Sequence, residues 1–338
     1  MTKRHLLATL ILGASTALVS PALANGLIQS VNGFVQIGIN DDGSINAGTA
    51  AAGTVGIGYN FTGQGGRVGF QDALTPGCLC EAWGVAANGS SGHVGQVAGN
   101  VNISVALSSG GTNANAPAPG PTPSFTSNTS LSTVLGLTVT QAFSIAIETA
   151  TGALFKDVVT LHNGTGVAIT DLRFARAMDW DVPPSEFNEF VTHKGTTTTT
   201  TLLRSTDNGF ASADPITDVA DGGIIGPIDA DGTTGPADHG SLFIFGFGGL
   251  ADNADYTFNI FYGAGANELD ALALLAGVSP ELYSLGQSNS GGTRQVNDPT
   301  FVFAFSGVGG TVVTPEPASI ALLGVGLLGL AALRRKAA

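Results

Sequence analysis

Short apolar runs, separated by clusters of Gly, Asn, Asp and Ser, recur along most of the chain. Several runs alternate apolar and polar positions, as in residues 34–39 and 256–260. This period of two is typical of a strand with one buried face. The pattern predicts strands at residues 27–39, 51–61, 83–86, 94–107, 133–140, 143–149, 153–162, 167–178, 196–204, 242–247, 256–262 and 301–307. Many short strands between turns predict an all-β fold, an antiparallel β-sandwich.

One region has a helical pattern instead. Asn267 is a suitable N-cap, and Leu269, Leu272 and Leu275 follow at intervals of three residues. A second helical turn is predicted from Ser279, with a proline in its first position. The fold prediction is therefore a sandwich with one short helical insertion.

Residues 110–123 are predicted to form a loop or linker. Four prolines in this segment favour extended backbone and cannot enter a central strand. Two organisations stay open. We favour one β-sandwich domain over residues 25–312 with a long surface loop, and the alternative is two β subdomains divided at this segment.

The N-terminal residues 1–24 have the pattern of a secretory signal peptide. A basic start is followed by an apolar stretch, and Ala22 and Ala24 supply the small residues before a cleavage point ahead of Asn25. The pattern predicts export.

The C-terminus carries a second targeting pattern. Residues 318–333 form an uncharged apolar run, which as a helix of about 1.5 Å per residue is slightly short of a ~30 Å hydrocarbon core. Arg334, Arg335 and Lys336 follow, and basic residues favour the cytoplasmic side. A transmembrane helix at 318–333 is predicted.

Pro315, Glu316 and Pro317, together with this helix and the basic end, resemble the PEP-CTERM sorting signal over residues 313–338. The resemblance implies an exported protein of a Gram-negative bacterium, held first in the inner membrane. Exosortase, a membrane protease-transpeptidase, would cut near the tripeptide, and the body would reach the cell surface or the medium. Such tails are joined to many unrelated bodies, so the resemblance implies a route and not an activity.

The middle of the chain resembles other uncharacterised secreted bacterial proteins with the same tail. The likeness centres on residues 157–182, which include an Asp-Trp-Asp tripeptide, and extends over residues 55–310. It implies a compact β domain and no catalytic assignment.

Charge narrows the range of partners. Only 11% of the residues are charged, against about 25% in typical soluble proteins. Residues 25–314 contain seven basic and 24 acidic residues, a net charge of −17. Because binding to a phosphate backbone needs basic patches, no nucleic-acid partner is expected, whereas cations would be attracted.

The two cysteines, Cys78 and Cys80, would meet an oxidising compartment after export. A disulfide within a loop is favoured. A redox or metal site and free or intermolecular thiols stay open, although zinc usually needs four ligands and no histidine spacing completes such a set here.

Asp179 and Asp181 flank Trp180, with Glu186 and Glu189 nearby. Glycoside hydrolysis needs two carboxyl groups about 5–10 Å apart, and on a strand the two aspartates would face the same side while Trp180 faced the core. We favour ion-pair or turn roles at an exposed strand end, with nearby arginines as partners. Cation binding and catalysis are the alternatives.

Asp229, Asp231 and Asp238 are weak calcium candidates on a Gly-rich segment. An EF-hand loop starting at Asp229 fails, because its sixth position is Thr234 and its twelfth is Gly240. Plain turns, which also need Asp and Gly, are favoured. No cofactor is therefore predicted, with calcium kept open.

The threonine run and the histidines give less specific predictions. The six threonines at 196–201 are predicted to lie on a strand at a sheet edge. The histidines of the body, His93, His162, His193 and His239, are predicted to be surface residues. A Ser-His-Asp triad assembled by folding stays open.

Two functions remain. The favoured one is a non-enzymatic surface or matrix protein, associated with extracellular polysaccharide, aggregation or biofilm, as proteins with this tail often are. The alternative is a secreted hydrolase of glycans that uses Asp179 and Asp181.

Overall fold

The computed structural model describes residues 26–45, 56–78, 80–95, 99–106, 108, 124–217 and 229–312. The described chain is mostly β, every strand pair in it is antiparallel, and it contains one α-helix, which confirms this part of the fold prediction. The predicted signal peptide, the 110–123 segment and the C-terminal helix lie outside the described residues. Among the described residues, no helix combines the length and apolar composition needed to span a membrane.

The strands are numbered in chain order. The first ten are β1 (Gly26–Gln29), β2 (Val35–Ile39), β3 (Ile57–Thr62), β4 (Val68–Asp72), β5 (Ala82–Ala87), β6 (Ser90–Gly95), β7 (Ile103–Val105), β8 (Ser124–Leu131), β9 (Leu137–Glu148) and β10 (Ala153–Asn163). The next are β11 (Ile169–Trp180), β12 (Glu189–Lys194), β13 (Leu202–Thr206), β14 (Gly232–Ala237), β15 (His239–Leu250), β16 (Asp255–Gly265), β17 (Leu282–Gln287), β18 (Asn289–Ser290), β19 (Thr293–Arg294) and β20 (Thr300–Ser306). The α-helix α1 spans Glu268–Val278, and Gln64–Gly66 form a 3-10 turn.

Three sheets contain most of these strands. The largest has nine strands in the order β14-β12-β17-β20-β16-β10-β9-β8-β7. A five-stranded sheet has the order β13-β15-β11-β5-β6, a four-stranded sheet contains β1 to β4, and β18 pairs with β19. Strands from both sides of residues 110–123 share sheets, because β5 pairs with β11 and β7 pairs with β8.

Aromatic side chains join the two larger sheets. Phe174 on β11 meets Phe258 on β16 with their ring centroids 5.0 Å apart, and Phe245 on β15 meets Phe305 on β20 at the same distance. These rings are steeply inclined to one another, an arrangement that aromatic pairs prefer. The main apolar core therefore lies between the nine-stranded and the five-stranded sheets.

Helix α1 covers the opposite face of the nine-stranded sheet, where Leu274 and Leu275 pack with Phe261 and Val302. The predicted cap is confirmed, because Asn267 Oδ1 accepts a hydrogen bond from the backbone N–H of Asp270 at 3.0 Å.

The predicted second helical turn is wrong. Ser279 ends α1 with a left-handed backbone (φ 50°), and its N–H bonds to the carbonyl of Leu275 at 3.1 Å. The chain then turns away, the N–H of Glu281 bonds to Phe305 O at 2.7 Å, and β17 begins.

The prediction that the six threonines at 196–201 lie on a strand is also wrong, since the strand in this region is Leu202–Thr206. Gly195 has a φ of 90°, and the hydroxyl of Thr199 donates to its carbonyl at 2.8 Å. The Thr200 hydroxyl donates to Gly309 O at 2.7 Å. These hydroxyls stabilise a turn instead of forming a ladder on a sheet edge.

Candidate functional site

Three carboxylates meet where β11 ends and β15 begins. Asp179 and Trp180 are the last residues of β11, and they pair with Gly240 and His239 of β15. This register brings Asp238, directly before β15, to the same end of the sheet. Oxygens of Asp179, Asp181 and Asp238 all lie within 4.8 Å of one another.

The first two aspartates are buried, which corrects the expectation of an exposed strand end. Asp179 is 1% exposed and Asp181 0%, whereas Asp238 is exposed. Trp180 occupies the core, where its Nε1 donates to Ser284 Oγ at 3.1 Å. The strand end is covered by other segments, because the N–H of Asp181 bonds to Ala73 O at 2.8 Å.

The expected arginine partners lie elsewhere. Arg173 pairs with Asp171 at 2.9 Å, and Arg176 pairs with Glu81. Within the described ranges, no Arg, Lys or His forms an ion pair with any of the three clustered aspartates. The cluster therefore has no basic side chain to balance it in the described part of the chain.

Three of the cluster's buried oxygens have no hydrogen-bond partner, namely both carboxylate oxygens of Asp181 and Oδ1 of Asp179. The sulfur of Cys78 lies 3.8 Å from Asp179 Oδ2, but a disulfide sulfur has no hydrogen to donate. Native proteins rarely leave such atoms unpaired, because desolvating a carboxylate without a partner is costly.

The surroundings of Asp179 and Asp181 disfavour the charged forms of both side chains. Burial, together with the nearby charges of Asp179 and Glu189, raises the pKa of Asp181 to about 9. Burial also raises the pKa of Asp179 to about 7, with Asp238 adding to the effect. A positive ion among these oxygens would favour the charged carboxylates and so oppose the effects of burial and of the neighbouring negative charges.

Glu189 borders the cluster but makes its own hydrogen bonds. It is fully buried, and its Oε1 accepts the backbone N–H of His239 at 2.8 Å. Glu189 thereby holds the chain directly after Asp238, so it positions that aspartate.

Cys78 and Cys80 form a disulfide beside Asp179, with their Cα atoms 5.2 Å apart. The two sulfurs and a carboxylate oxygen of Asp179 are close enough together for one metal ion. In the disulfide, however, neither sulfur is the thiolate that metals bind. The ligands available in this state are therefore the carboxylate oxygens.

Asp229 and Asp231, the other calcium candidates, line a different feature, a cavity of about 390 Å³. Asp231 Oδ1 accepts the N–H of Thr196 at 2.9 Å, and Asp229 Oδ2 accepts the N–H of Asp207 at 3.2 Å. Both act as turn-stabilising acceptors. The structure thus places Asp238 with Asp179 and Asp181.

His193 borders the same cavity, and the prediction that it is a surface residue is wrong. It is 4% exposed and shares a hydrogen bond of 2.9 Å with Ser241 Oγ, which donates to Ser284 Oγ at 2.7 Å. Ser241 is fully buried, so this Ser-His pair is closed to a substrate. Burial lowers the pKa of His193 to about 4.

Comparison with known protein families finds one matching motif, at the C-terminus. Residues 313–336 match the PEP-CTERM protein-sorting motif. The motif indicates exosortase-dependent export to the cell surface, and it confirms the resemblance drawn from the sequence. No curated protein matches the chain, and no solved structure does.

The PEP-CTERM match includes Pro315, Glu316, Pro317, Arg334 and Arg335. These sorting residues lie outside the described part of the structure, as do the signal-cleavage residues Ala22 and Ala24. Their roles in processing remain predictions.

Proposed function

We propose that this chain is a non-enzymatic protein of the cell surface or extracellular matrix that associates with extracellular polysaccharide. The observation that carries the proposal is the PEP-CTERM motif at residues 313–336, which defines an export route. Before processing, the C-terminal apolar segment holds the chain in the inner membrane. The acidic β-rich body then contributes to aggregation or biofilm.

The burial of the acidic pair supports a non-enzymatic role. A general acid or base must come within about 2.6–3.2 Å of the proton that it transfers, or act through one water. Asp181 is 0% exposed and Asp179 is 1% exposed, so a glycan chain has no access to this pair. Asp238 alone among the three is exposed, and one accessible carboxylate does not make the pair that glycoside hydrolysis uses.

Hydrolysis of polysaccharide purified from the producing strain tests the enzymatic alternative. We expect wild-type protein to release no new reducing ends, and Asp179→Asn and Asp181→Asn to behave identically. Release by the wild type that both substitutions abolish would establish the hydrolase instead.

A deletion strain tests the matrix role. We expect weaker cell aggregation and less polysaccharide retained on the cells, with both restored by the wild-type gene but not by a copy lacking residues 313–338. Unchanged aggregation and unchanged retention in the deletion strain would contradict the matrix role while leaving the export route intact.

A further inference from the structure

We propose that Asp179, Asp181 and Asp238 bind one Ca²⁺ ion, and that this ion completes the fold of the body. The inference concerns the folded body itself and does not depend on what the protein binds at the cell surface.

The spacing of the oxygens fits a single calcium ion. Ca²⁺ takes oxygen ligands at about 2.3–2.6 Å, so two oxygens on opposite sides of it lie roughly 4.6–5.2 Å apart. The three carboxylates present oxygens within 4.8 Å of one another, which one ion can contact together. Mg²⁺ usually keeps several waters and is bound by only one or two carboxylates, so a site of three carboxylates suits it less well.

The chemistry of the ligands points the same way. The three candidate ligands are all carboxylate oxygens, which hard cations prefer over nitrogen or sulfur. The neighbouring sulfurs of Cys78 and Cys80 are joined in a disulfide. This makes Zn²⁺, which favours thiolate and imidazole, a poor match.

The buried oxygens supply independent support. Both oxygens of Asp181 and one of Asp179 are inaccessible and lack hydrogen-bond partners. Described basic side chains form no ion pair with these two residues or with Asp238. A divalent cation would satisfy these atoms and offset most of the charge of the cluster.

The site has an open side. Asp238 is exposed, so an ion can enter from solvent next to it, and water can fill the remaining coordination positions. The other two ligands lie on the buried side of the cluster. Asp179 and Asp181 would thus bind the ion from its buried side, and Asp238 would bind it from the side open to solvent.

The ion would join separate parts of the chain. Asp179 lies at the end of β11, Asp181 follows that strand directly, and Asp238 belongs to the connection between β14 and β15. Asp181 is also hydrogen bonded to Ala73, just after β4. Without a cation, three carboxyl groups lie together at this junction with no basic partner in the described part of the chain, so we expect its stability to depend on calcium. Calcium sites of extracellular modules bind with dissociation constants of about 10⁻⁴–10⁻³ M, a range that the medium outside a cell can supply.

Thermal unfolding of the protein recovered after export provides the first test. The wild-type Tm should rise as Ca²⁺ is increased from an EDTA-treated sample to about 10 mM, a range that spans the expected dissociation constant. Asp181→Asn should greatly reduce this rise. It should not lower the Tm in EDTA, because the buried carboxyl group that it replaces has no hydrogen-bond partner there. A merely structural aspartate would instead lower the Tm in both conditions.

Asp231→Asn is the matched control, since Asp231 is an acidic residue of the separate cavity. Its Tm should respond to calcium as the wild type does. A calcium response lost in Asp231→Asn but kept in Asp181→Asn would overturn the assignment, as would a wild-type Tm that calcium does not change.

Isothermal titration with Ca²⁺ alone measures the site directly. We expect one ion per chain in the wild type and affinities at least tenfold weaker in Asp179→Asn, Asp181→Asn and Asp238→Asn. Mg²⁺ at the same concentrations should bind more weakly. Absence of saturable binding, or equal binding of Mg²⁺, would contradict the proposal.

Discussion

Arg176 is a fully buried cation inside the main core. It pairs with Glu81, lies 3.9 Å from Asp157 and donates to Gln141 Oε1 at 2.6 Å. Its guanidinium also lies 5.4 Å from the centre of the Tyr262 ring. Burial raises the pKa of Asp157 to about 8 even though Arg176 opposes the shift. The core therefore depends on this one cation to balance two buried acids.

Arg176→Ala should be strongly destabilising, because it leaves the carboxylates of Glu81 and Asp157 buried without their cation. The expected loss is about 3–5 kcal/mol of unfolding free energy. Arg67→Ala is the control, since Arg67 is 40% exposed in its ion pair with Glu186 and should cost no more than about 1 kcal/mol. Denaturant unfolding measures both, and similar losses in the two variants would refute this view of the core.

His193 should make stability depend on pH. Its pKa is lowered to about 4 by burial, with His239 adding to the shift while Asp207 and Asp231 oppose it. Between about 4 and the ordinary value of 6.5, the unfolded chain binds a proton that the folded chain does not. The contribution of His193 to the unfolding free energy therefore rises as pH increases through this window, by up to about 3 kcal/mol.

The measurement is a comparison between wild type and His193→Gln, at one calcium concentration. The raised pKa values of Asp157 and Asp181 make the unfolding free energy of the whole protein fall as pH rises. Both proteins contain these two residues, so subtracting one unfolding free energy from the other removes their effect. The stability of the wild type relative to His193→Gln should increase from pH 4 to 6.5 and stay constant above. A flat difference would mean that His193 keeps an ordinary pKa.

Helix α1 is the element whose start depends on one side chain. Asn267→Ala removes the hydrogen bond to the N–H of Asp270 and should cost about 1 kcal/mol. Leu269→Ala is the control within the same helix, because Leu269 is 64% exposed and its truncation should change stability by no more than about 0.5 kcal/mol. Equal effects in denaturant unfolding would show that the cap is not stabilising.

The elements differ in how far the sequence predicts them. The predicted strand at 153–162 corresponds to β10, Ala153–Asn163, because its alternating apolar positions fill the core. Strand β8 has no such signal, since its buried positions include Ser127 and Thr129. Ser127 is accepted in the interior because its hydroxyl donates to Asp41 O at 2.6 Å. That partner is 86 residues away, so no local pattern reports it.

The route of the whole molecule depends on its C-terminus. Substituting Pro315, Glu316 and Pro317 together by alanine should leave the chain unprocessed, because these residues form the tripeptide of the PEP-CTERM motif. The intact mass of wild-type protein from the surface and the medium should match a body from Asn25 to near Pro315, plus any glycan. The triple variant should keep residues 318–338 and stay with the cell membrane.

The control for this experiment is the melting of the body, which the triple alanine variant should leave unchanged. Wild-type protein that still carries residues 318–338 at the cell surface would contradict processing, and the tail would then be a simple anchor.

The sequence alone determines the features that are local or periodic. The PEP-CTERM motif is a continuous stretch at residues 313–336, so it can be recognised without any fold. The β class follows from the period of the apolar positions, and the helix start at Asn267 follows from a single capping residue.

Only the tertiary structure decides the acidic cluster. The sequence groups Asp238 with Asp229 and Asp231, because they are close along the chain. The register of β11 with β15 instead brings Asp238 to Asp179 and Asp181. The backbone at Ala73 lies against Asp181, and the disulfide lies beside Asp179. Asp238 is far from the other two aspartates in the sequence, and those two are covered by distant segments. Neither property leaves a local pattern in the sequence, and both are needed for the candidate calcium site.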